Sequence, residues 1–489
     1  MAILALDQGT TSSRAILFDR TFRPLGQKNI PLTQHYPKEG WVEHDAEEIF
    51  HTQMQAAGIL LAEMAEEIDC IGITNQRETT ILWNAETGKP IANAIVWQCR
   101  RTAPQCEALT AGGMEATIKR TTGLPIDAYF SGTKIAWLLS NCPEAQTLAA
   151  EGKLLFGTVE CWLIWKLTGN HLTDVTNAAR TMLMNITTLE WDDNICRRLG
   201  IPMGILPKIV DNAGMFGTVR EDPAIPPAMW GKPVTASAGD QQAALFGQTC
   251  FSLGDTKNTY GTGCFALMNI GSSPIFDEKL ITTVGWKIGD TVTYALEGSV
   301  FNAGSAIQWL RDELKLIASA PECDIYAEQV ENSGGVIFVP AFTGLGAPHW
   351  DMYARGALLG LTRGSNRCHI CRAVLEGIAY QSAELIVAMQ KASGIPIHSL
   401  KVDGGASVST PMMQFQADLL NITVDRPAVI ESTALGAAML AGIGAGLYTM
   451  DELSGIRVSD RCFAPRRGAS VPEGYARWRA AISAVQAFE

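Results

Sequence analysis

The sequence predicts an α/β fold built twice: two halves, each a β-sheet flanked by helices, with a ligand held between them. Three observations predict it. Ala2–Asp19, AILALDQGTTSSRAILFD, has two apolar runs, Ala2–Leu6 and Ala15–Phe18, around a polar turn, the pattern of strand, tight turn, strand. Lys257–Ile270, KNTYGTGCFALMNI, repeats that form, with Tyr260 where the first copy has Asp7. A chain of 489 residues is also too long for one hydrophobic core. The boundary is expected near Gly247–Leu253, dividing the chain into 1–248 and 249–489.

The elements follow in order. Gln27–Leu32 reads as a third strand, with Pro24-Leu25-Gly26 as the turn before it. A helix starts near Ala46, with Ile49, Phe50, Met54, Ile59 and Leu60 giving an apolar face. Cys70–Thr74 is a buried strand, followed by the polar stretch Asn75–Thr80 and strands at Ile81–Trp83 and Asn93–Trp97. From Arg100 to Gly200 the pattern is mostly helical, with a strand at Leu154–Phe156, and Ile201–Pro233 is a proline-rich connection. Val234–Ala238 is a strand running into Asp240 and a helix over Ala243–Gly247. Leu400–Ala406, LKVDGGA, is a strand ending in Asp403-Gly404-Gly405. The longest apolar run, Ala434–Met450, is short for a membrane span and rich in small residues, so it reads as a buried helix packed closely on a sheet.

Composition excludes some functions. A composition of 47% hydrophobic and 18% charged residues is ordinary for a soluble globular protein. A net charge of −12 and a pI of about 5.2 argue against nucleic-acid or acidic-membrane partners. The start, MAILALDQ, has no basic n-region or long apolar h-region, so no signal peptide is expected, and the twelve scattered cysteines fit a reducing cytoplasm. Cys368-His369-Ile370-Cys371 has CxxC spacing but no second pair for a zinc site. The P-loop, protein-kinase and HExxH signatures are absent.

The chemistry gathers at four strand-to-turn corners: Asp7–Arg14, Asp240–Gln242, Tyr260–Gly263 and Asp403–Ala406. Turns of Gly, Thr and Ser present backbone N–H groups and hydroxyls to phosphate oxygens. A lone carboxylate beside such a cradle repels the phosphate unless a cation bridges them, so Asp7 suggests a Mg-nucleotide site. Asp240, at a different corner, suits a general base opposite the phosphate, or a helix N-cap. Arg77-Glu78 offers donors and acceptors to the vicinal hydroxyls of a small polyol, or is a surface ion pair. Trp97, Tyr129 and Phe265 lie near these corners, either in the core or facing a ligand.

These blocks are similar to those of the FGGY carbohydrate-kinase family, within the actin/Hsp70/hexokinase superfamily, and to its glycerol-phosphorylating branch in particular. The resemblance rests on LDQGTTSSRA (Leu6–Ala15), GWVEHD (Gly40–Asp45), GITNQRETT (Gly72–Thr80), NAIVWQCRRT (Asn93–Thr102), YFSGTK (Tyr129–Lys134), AGDQQAALFGQ (Ala238–Gln248), NTYGTGCF (Asn258–Phe265), YALEG (Tyr294–Gly298), FTGLGAP (Phe342–Pro348), RGALLGLTRG (Arg355–Gly364) and VDGGA (Val402–Ala406). It covers nearly the whole chain, and the RETT and WQCRRT blocks belong to that branch.

The resemblance implies two actin-like (ribonuclease H-like) domains, each a mixed sheet flanked by helices, with the active site in the cleft. It implies ATP-dependent phosphorylation of glycerol to sn-glycerol 3-phosphate, in the cytoplasm, by a homodimer or homotetramer. Another small polyol or ketose is the alternative substrate, and a nucleotide-driven binding protein of the actin or Hsp70 type is the alternative class. Asp240 would be the base. Arg77, Glu78, Tyr129, Asp240 and Gln241 would bind the triol, with Trp97 and Phe265 flanking its carbons. Thr10, Thr11, Ser12 and Arg14 would hold phosphate, with Asp7 linked to Mg²⁺. Gly261, Thr262, Gly304, Gln308, Gly405 and Ser409 would contact the nucleotide.

Three stretches depart from the pattern. His349 stands where the family often has Tyr, and Ser409-Thr410 where an Asn pair often follows VDGGA. Val219–Lys232, VREDPAIPPAMWGK, replaces the Gly/Arg/Lys-rich anion loop of members inhibited by fructose 1,6-bisphosphate. Arg466–Tyr475 departs from the segment through which some members bind a sugar-transport regulator.

Overall fold

The structure, a computed structural model, describes residues 1–466 and 471–488. Arg466–Tyr475 therefore lies partly outside the described residues.

The first sheet is built from β1 (Ala2–Gln8), β2 (Ser12–Phe18), β3 (Pro24–Pro31), β4 (Ile68–Asn75), β5 (Ala213–Thr218) and β6 (Pro233–Gly239). Their spatial order is β5-β6-β4-β1-β2-β3. β1 is antiparallel to β2 and parallel to β4, which is parallel to β6. Ala2–Leu6 is buried throughout, as expected of a central strand covered on both faces. The second sheet contains β7 (Thr256–Tyr260), β8 (Cys264–Gly271), β9 (Ile281–Ile288), β10 (Thr291–Val300), β11 (Ser399–Asp403), β12 (Thr423–Pro427) and β13 (Ser459–Phe463). Their order is β9-β10-β8-β7-β11-β12-β13. Again the hairpin β7/β8 is antiparallel, and β7, β11 and β12 run parallel. The same hairpin-plus-parallel-strands unit thus occurs twice.

Helix α1 (Ala46–Glu63) starts where expected, because the Asp45 side chain accepts the N–H groups of Glu47 and Glu48, and these two acids favour the first turn. Ile49, Phe50, Met54, Leu60 and Leu61 are buried, whereas Ile59 is exposed. Two strand expectations are also corrected. Pro24-Leu25-Gly26 lies within β3, and the chain reverses earlier, at Asp19–Arg23, where Phe22 N donates to Asp19 O and Asp19 N to Arg23 O. The run at 93–97 pairs only over Ala94–Ile95.

Helix α2 (Asp240–Gly247) follows β6, and α3 (Gly304–Asp312) and α4 (Arg367–Ser393) belong to the second half. Cys368 and Cys371 lie in the first turns of α4, whose N-cap Asn366 forms a capping box with His369. Helix α5 (Thr410–Leu420) precedes α6 (Ser432–Gly444), the core of the long apolar run. α6 belongs to the second half by sequence but packs on the first sheet: Thr235 Oγ1 donates to Ala441 O at 2.8 Å. Its small residues allow backbone contact. A Cβ at Gly436 would stand 1.8 Å from Ala243 O, and one at Gly247 of α2 would stand 2.1 Å from Ser432 O. Hence α2 and α6 cross with no side chain between them, and the two halves are joined there. No helix among the described residues is long and apolar enough to cross a membrane.

Candidate active site

Parallel register brings the corners together. Asp7 pairs with Thr74 in β4, and Thr74 and Asn75 pair with Ala238 and Gly239 in β6. Asp7, the Gln76–Thr80 loop and Asp240 therefore leave the sheet at the same carboxyl edge, where ligands of open α/β sheets collect. In the second sheet Thr259 pairs with Asp403, so the Gly261–Gly263 turn and Gly404-Gly405 emerge side by side.

The first turn is closed by Gly9 N donating to Ser12 O at 2.9 Å. Thr10 is half-buried and Thr11 exposed. Trp97 Nε1 donates to Thr10 Oγ1 at 2.9 Å, tying the expected triol shelf to the phosphate turn. Burial pushes the Asp7 carboxyl up to about 6, although Arg14, 3.9 Å away, opposes the shift. Arg14 is ion-paired with Glu431, the residue before α6, which packs on the same sheet. Among the described residues no cluster of three or more His, Cys, Asp or Glu could hold a metal ion. One half-buried carboxylate beside the Gly-Thr-Ser turn nonetheless fits Mg²⁺, which is held by one or two carboxylates together with substrate phosphates.

In the opposite turn, Gly261 N donates to Gly263 O at 2.9 Å, and Ala303 N and Gly304 N donate to Thr262 O and Gly261 O at 2.7 and 2.9 Å. A Cβ at Gly304 would meet Gly261 O at 2.6 Å, so the start of α3 approaches this turn only as glycine. Thr262 and Gln308 are exposed, and a Cβ at Gly405 would meet open space. Ser409 differs from expectation. It is buried, its hydroxyl donates to Asp324 Oδ1 at 2.7 Å, and it caps α5 by accepting from Met412 N. Its side chain serves the fold rather than the cleft.

At the carboxyl edge of the first sheet, beside Asp240, lies a buried charged cluster. Arg77 donates to both Glu297 oxygens, at 2.7 and 2.9 Å, and its Nε lies 3.1 Å from Asp240 Oδ1. Arg180 Nε donates to Glu78 Oε1 at 2.5 Å, and its Nη2 lies 3.2 Å from Glu297 Oε1. Arg77-Glu78 is thus no surface pair, since both side chains are 2% exposed. Burial would raise the Glu297 carboxyl, but Arg180 and Arg77 outweigh it and hold it down at about 2. Burial also raises Glu78, and there the two arginines offset it only in part. Glu78 sits at φ +61°, a strained conformation for a non-glycine residue. Its carbonyl there accepts from Ser131 Oγ at 2.9 Å and Thr80 Oγ1 at 3.0 Å.

Asp240 opens α2, but the N-cap is Gly239 and no side chain caps the helix. The N-cap alternative therefore fails. Its Oδ1 takes both Gln241 N, at 2.7 Å, and Arg77 Nε. Lys257 of β7, itself buried, donates to Gln241 Oε1 of α2 at 2.5 Å and also to Thr259 Oγ1 and Phe265 O. Tyr129 packs against Trp97, with ring centroids 5.5 Å apart. Phe265 is half-buried on β8.

The comparisons with known proteins bear on this site. Residues 2–247 match the N-terminal domain, and residues 256–445 the C-terminal domain, of the FGGY family of carbohydrate kinases. The chain belongs to the FGGY family of carbohydrate kinases. It is 54% identical to a glycerol kinase of Symbiobacterium thermophilum over 98% of this chain and 97% of that one. It is 51% identical to glycerol kinase 2 of Thermotoga maritima, with 98% of each covered. The structure superposes on a Plasmodium falciparum glycerol kinase with ADP at a TM-score of 0.93 and 39% identity, covering 99% of this chain and 98% of that chain. A gluconate kinase of Lactobacillus acidophilus, 22% identical at a TM-score of 0.89 over 100% of this chain and 98% of that chain, shares the fold.

Motif reasoning about this FGGY kinase left three charged residues of the buried cluster without a role. Arg180, Lys257 and Glu297 are each fully buried charges in otherwise apolar or strand-like runs. That is the signal that could have found them, since such charges are rarely buried unless paired.

Proposed function

We propose that this kinase transfers the γ-phosphoryl group of ATP to glycerol, giving ADP and sn-glycerol 3-phosphate, with 1–248 and 249–489 as its two domains. The observation that carries the reading is the contact of Arg77, Glu78 and Asp240 in one pocket beside the Asp7 turn. Arg77 and Glu78 supply a donor and an acceptor to vicinal hydroxyls, Gln241 and Tyr129 add further polar contacts, and Trp97 and Phe265 flank the carbons. Asp240 accepts the proton of the attacking hydroxyl through Oδ2, since Oδ1 is engaged. The turn of Thr10, Thr11 and Ser12 and the turn of Gly261 and Thr262 grip the phosphates from opposite sides. Arg14 joins them once released from Glu431. Gly304, Gln308 and Gly405 line the nucleoside end.

Asp7 would hold Mg²⁺, which neutralises phosphate charge when bound. The remaining catalysis is positioning in line, with approach of the halves excluding water. The enzyme works in the cytoplasm as a homodimer or homotetramer. A coupled assay of ADP release with glycerol, erythritol, xylulose and ribulose tests the substrate. Turnover at least tenfold better with glycerol is expected, and ATPase activity indifferent to every polyol would overturn the reading.

A further inference from the structure

We propose that Glu297 and Arg180 are the positioning residues of the triol site, and that Glu297, carried by the second half, sets the orientation of Arg77 in the first. The proposal rests on Arg77 and Glu78 being the triol ligands.

Glu297 and Arg180 are both 0% exposed, so neither reaches the cleft itself. They act through their partners. Glu297 engages the two terminal nitrogens of Arg77 in a bidentate pair, at 2.7 and 2.9 Å. Such a pair fixes the plane of the guanidinium. With that plane fixed, Nε points at Asp240 Oδ1, 3.1 Å away. Arg180 does the same for Glu78 by taking Oε1, which leaves Oε2 for a hydroxyl. It stacks over the Tyr129 ring at 5.3 Å, so one side chain braces two triol contacts.

The strand register explains why Glu297 points this way. Residues facing each other across β8 and β10 are Leu267 and Glu297, and Phe265 and Ser299. Opposed residues of an antiparallel pair share a face, and residues two apart on one strand share it too. Phe265 and Glu297 therefore project from the same face of the second sheet toward the first half. The second half closes the pocket with an aromatic side chain and locks its polar end with a carboxylate. The pocket is complete only when both halves are seated.

The test uses the full-length enzyme with Glu297→Gln, Arg180→Met and Arg180→Lys. Glycerol KM, kcat and the ADP dissociation constant are measured for each. Glu297→Gln and Arg180→Met are expected to raise glycerol KM tenfold or more, with a smaller change in kcat and ADP affinity within twofold of wild type. Arg180→Lys restores only part of the glycerol affinity, because the charge persists but the guanidinium plane over Tyr129 is lost. Glycerol KM within twofold of wild type in both neutral variants would overturn the proposal. So would equal losses of glycerol and ADP affinity, which mark a general scaffold. Should Glu297→Gln not fold, Glu297→Asp keeps the charge but shortens the reach, and the same outcomes are read from it. A wild-type enzyme that does not phosphorylate glycerol would refute the functional reading instead.

Discussion

Asp240→Asn separates catalysis from folding. The substitution keeps the size of the side chain and an oxygen for the Gln241 N–H, now 2.7 Å away. Arg77 Nε loses a charged partner at 3.1 Å, but Nη1 and Nη2 remain on Glu297. The structural cost is thus one charge-assisted hydrogen bond, about 1.5–3 kcal/mol as an upper bound. The catalytic cost is larger. A positioned general base contributes roughly 10²–10⁴ in rate, or about 3–5 kcal/mol in the barrier. The variant should melt within a few degrees of wild type and bind ADP with unchanged affinity, while kcat falls at least a hundredfold. Initial rates of ADP release, alongside calorimetric ADP binding, measure both. A folded variant whose kcat stays within tenfold of wild type would refute the general-base role.

Four further outcomes are expected. Gly436→Ala places a methyl 1.8 Å from Ala243 O at the crossing of α2 and α6, and should destabilise the fold by about 3 kcal/mol or more in denaturant unfolding. Glu431→Gln frees Arg14 of a half-exposed ion pair worth about 0.5–1 kcal/mol, so the KM for ATP should fall about two- to fivefold, and an unchanged value would mean that Arg14 does not reach phosphate. The folded Glu297 carboxyl lies at about 2, against an ordinary value of 4.5, so the fold with Glu297 ionised is favoured over the fold with it protonated, a difference present above pH 4.5 and lost as pH falls toward 2. That is about 3 kcal/mol in all, and the acid slope of thermal stability should flatten in Glu297→Gln. Fructose 1,6-bisphosphate should leave the rate of glycerol phosphorylation unchanged, because Val219–Lys232 carries only two cations, Arg220 and Lys232, against the acids Glu221 and Asp222, and so offers no net positive charge to a bisphosphate.

What the sequence made legible was local. Asp7, Asp240 and the two Gly-Thr turns carry their meaning within ten residues, because a strand that ends in a turn exposes the same groups in any context. The small-residue run at Ala434–Met450 likewise announced close packing. It could not say that α6 returns to the first sheet, since Gly436 meets Ala243 only across nearly two hundred residues of chain. Arg180 and Glu297 failed for the same reason. Their partners Glu78 and Arg77 lie 102 and 220 positions away, and no period or motif encodes such a pairing. Ser409 shows the opposite error. Its motif position suggested the nucleotide, but a Ser one residue before a helix is first an N-cap.

The buried cluster is hard to explain as a stability device. Desolvating two arginines and two glutamates is costly, and well-packed apolar residues of similar volume commonly serve a core as well or better. Arg180 heightens the cost, because its Nη1 and Nη2 find no aligned hydrogen-bond partner among the described residues. What apolar residues could not supply is orientation. Two arginines and two glutamates sum to zero, and Lys257 balances Asp240, so the cluster carries no net formal charge. Within that balance each charge is directed. Glu297 turns Arg77 toward Asp240, Arg180 turns Glu78 toward the cleft, and Lys257 holds Gln241. Two of these directing groups, Glu297 and Lys257, come from the second half and act on residues of the first. Seating the halves therefore fixes the orientation of Arg77 and Gln241 through groups of the second half.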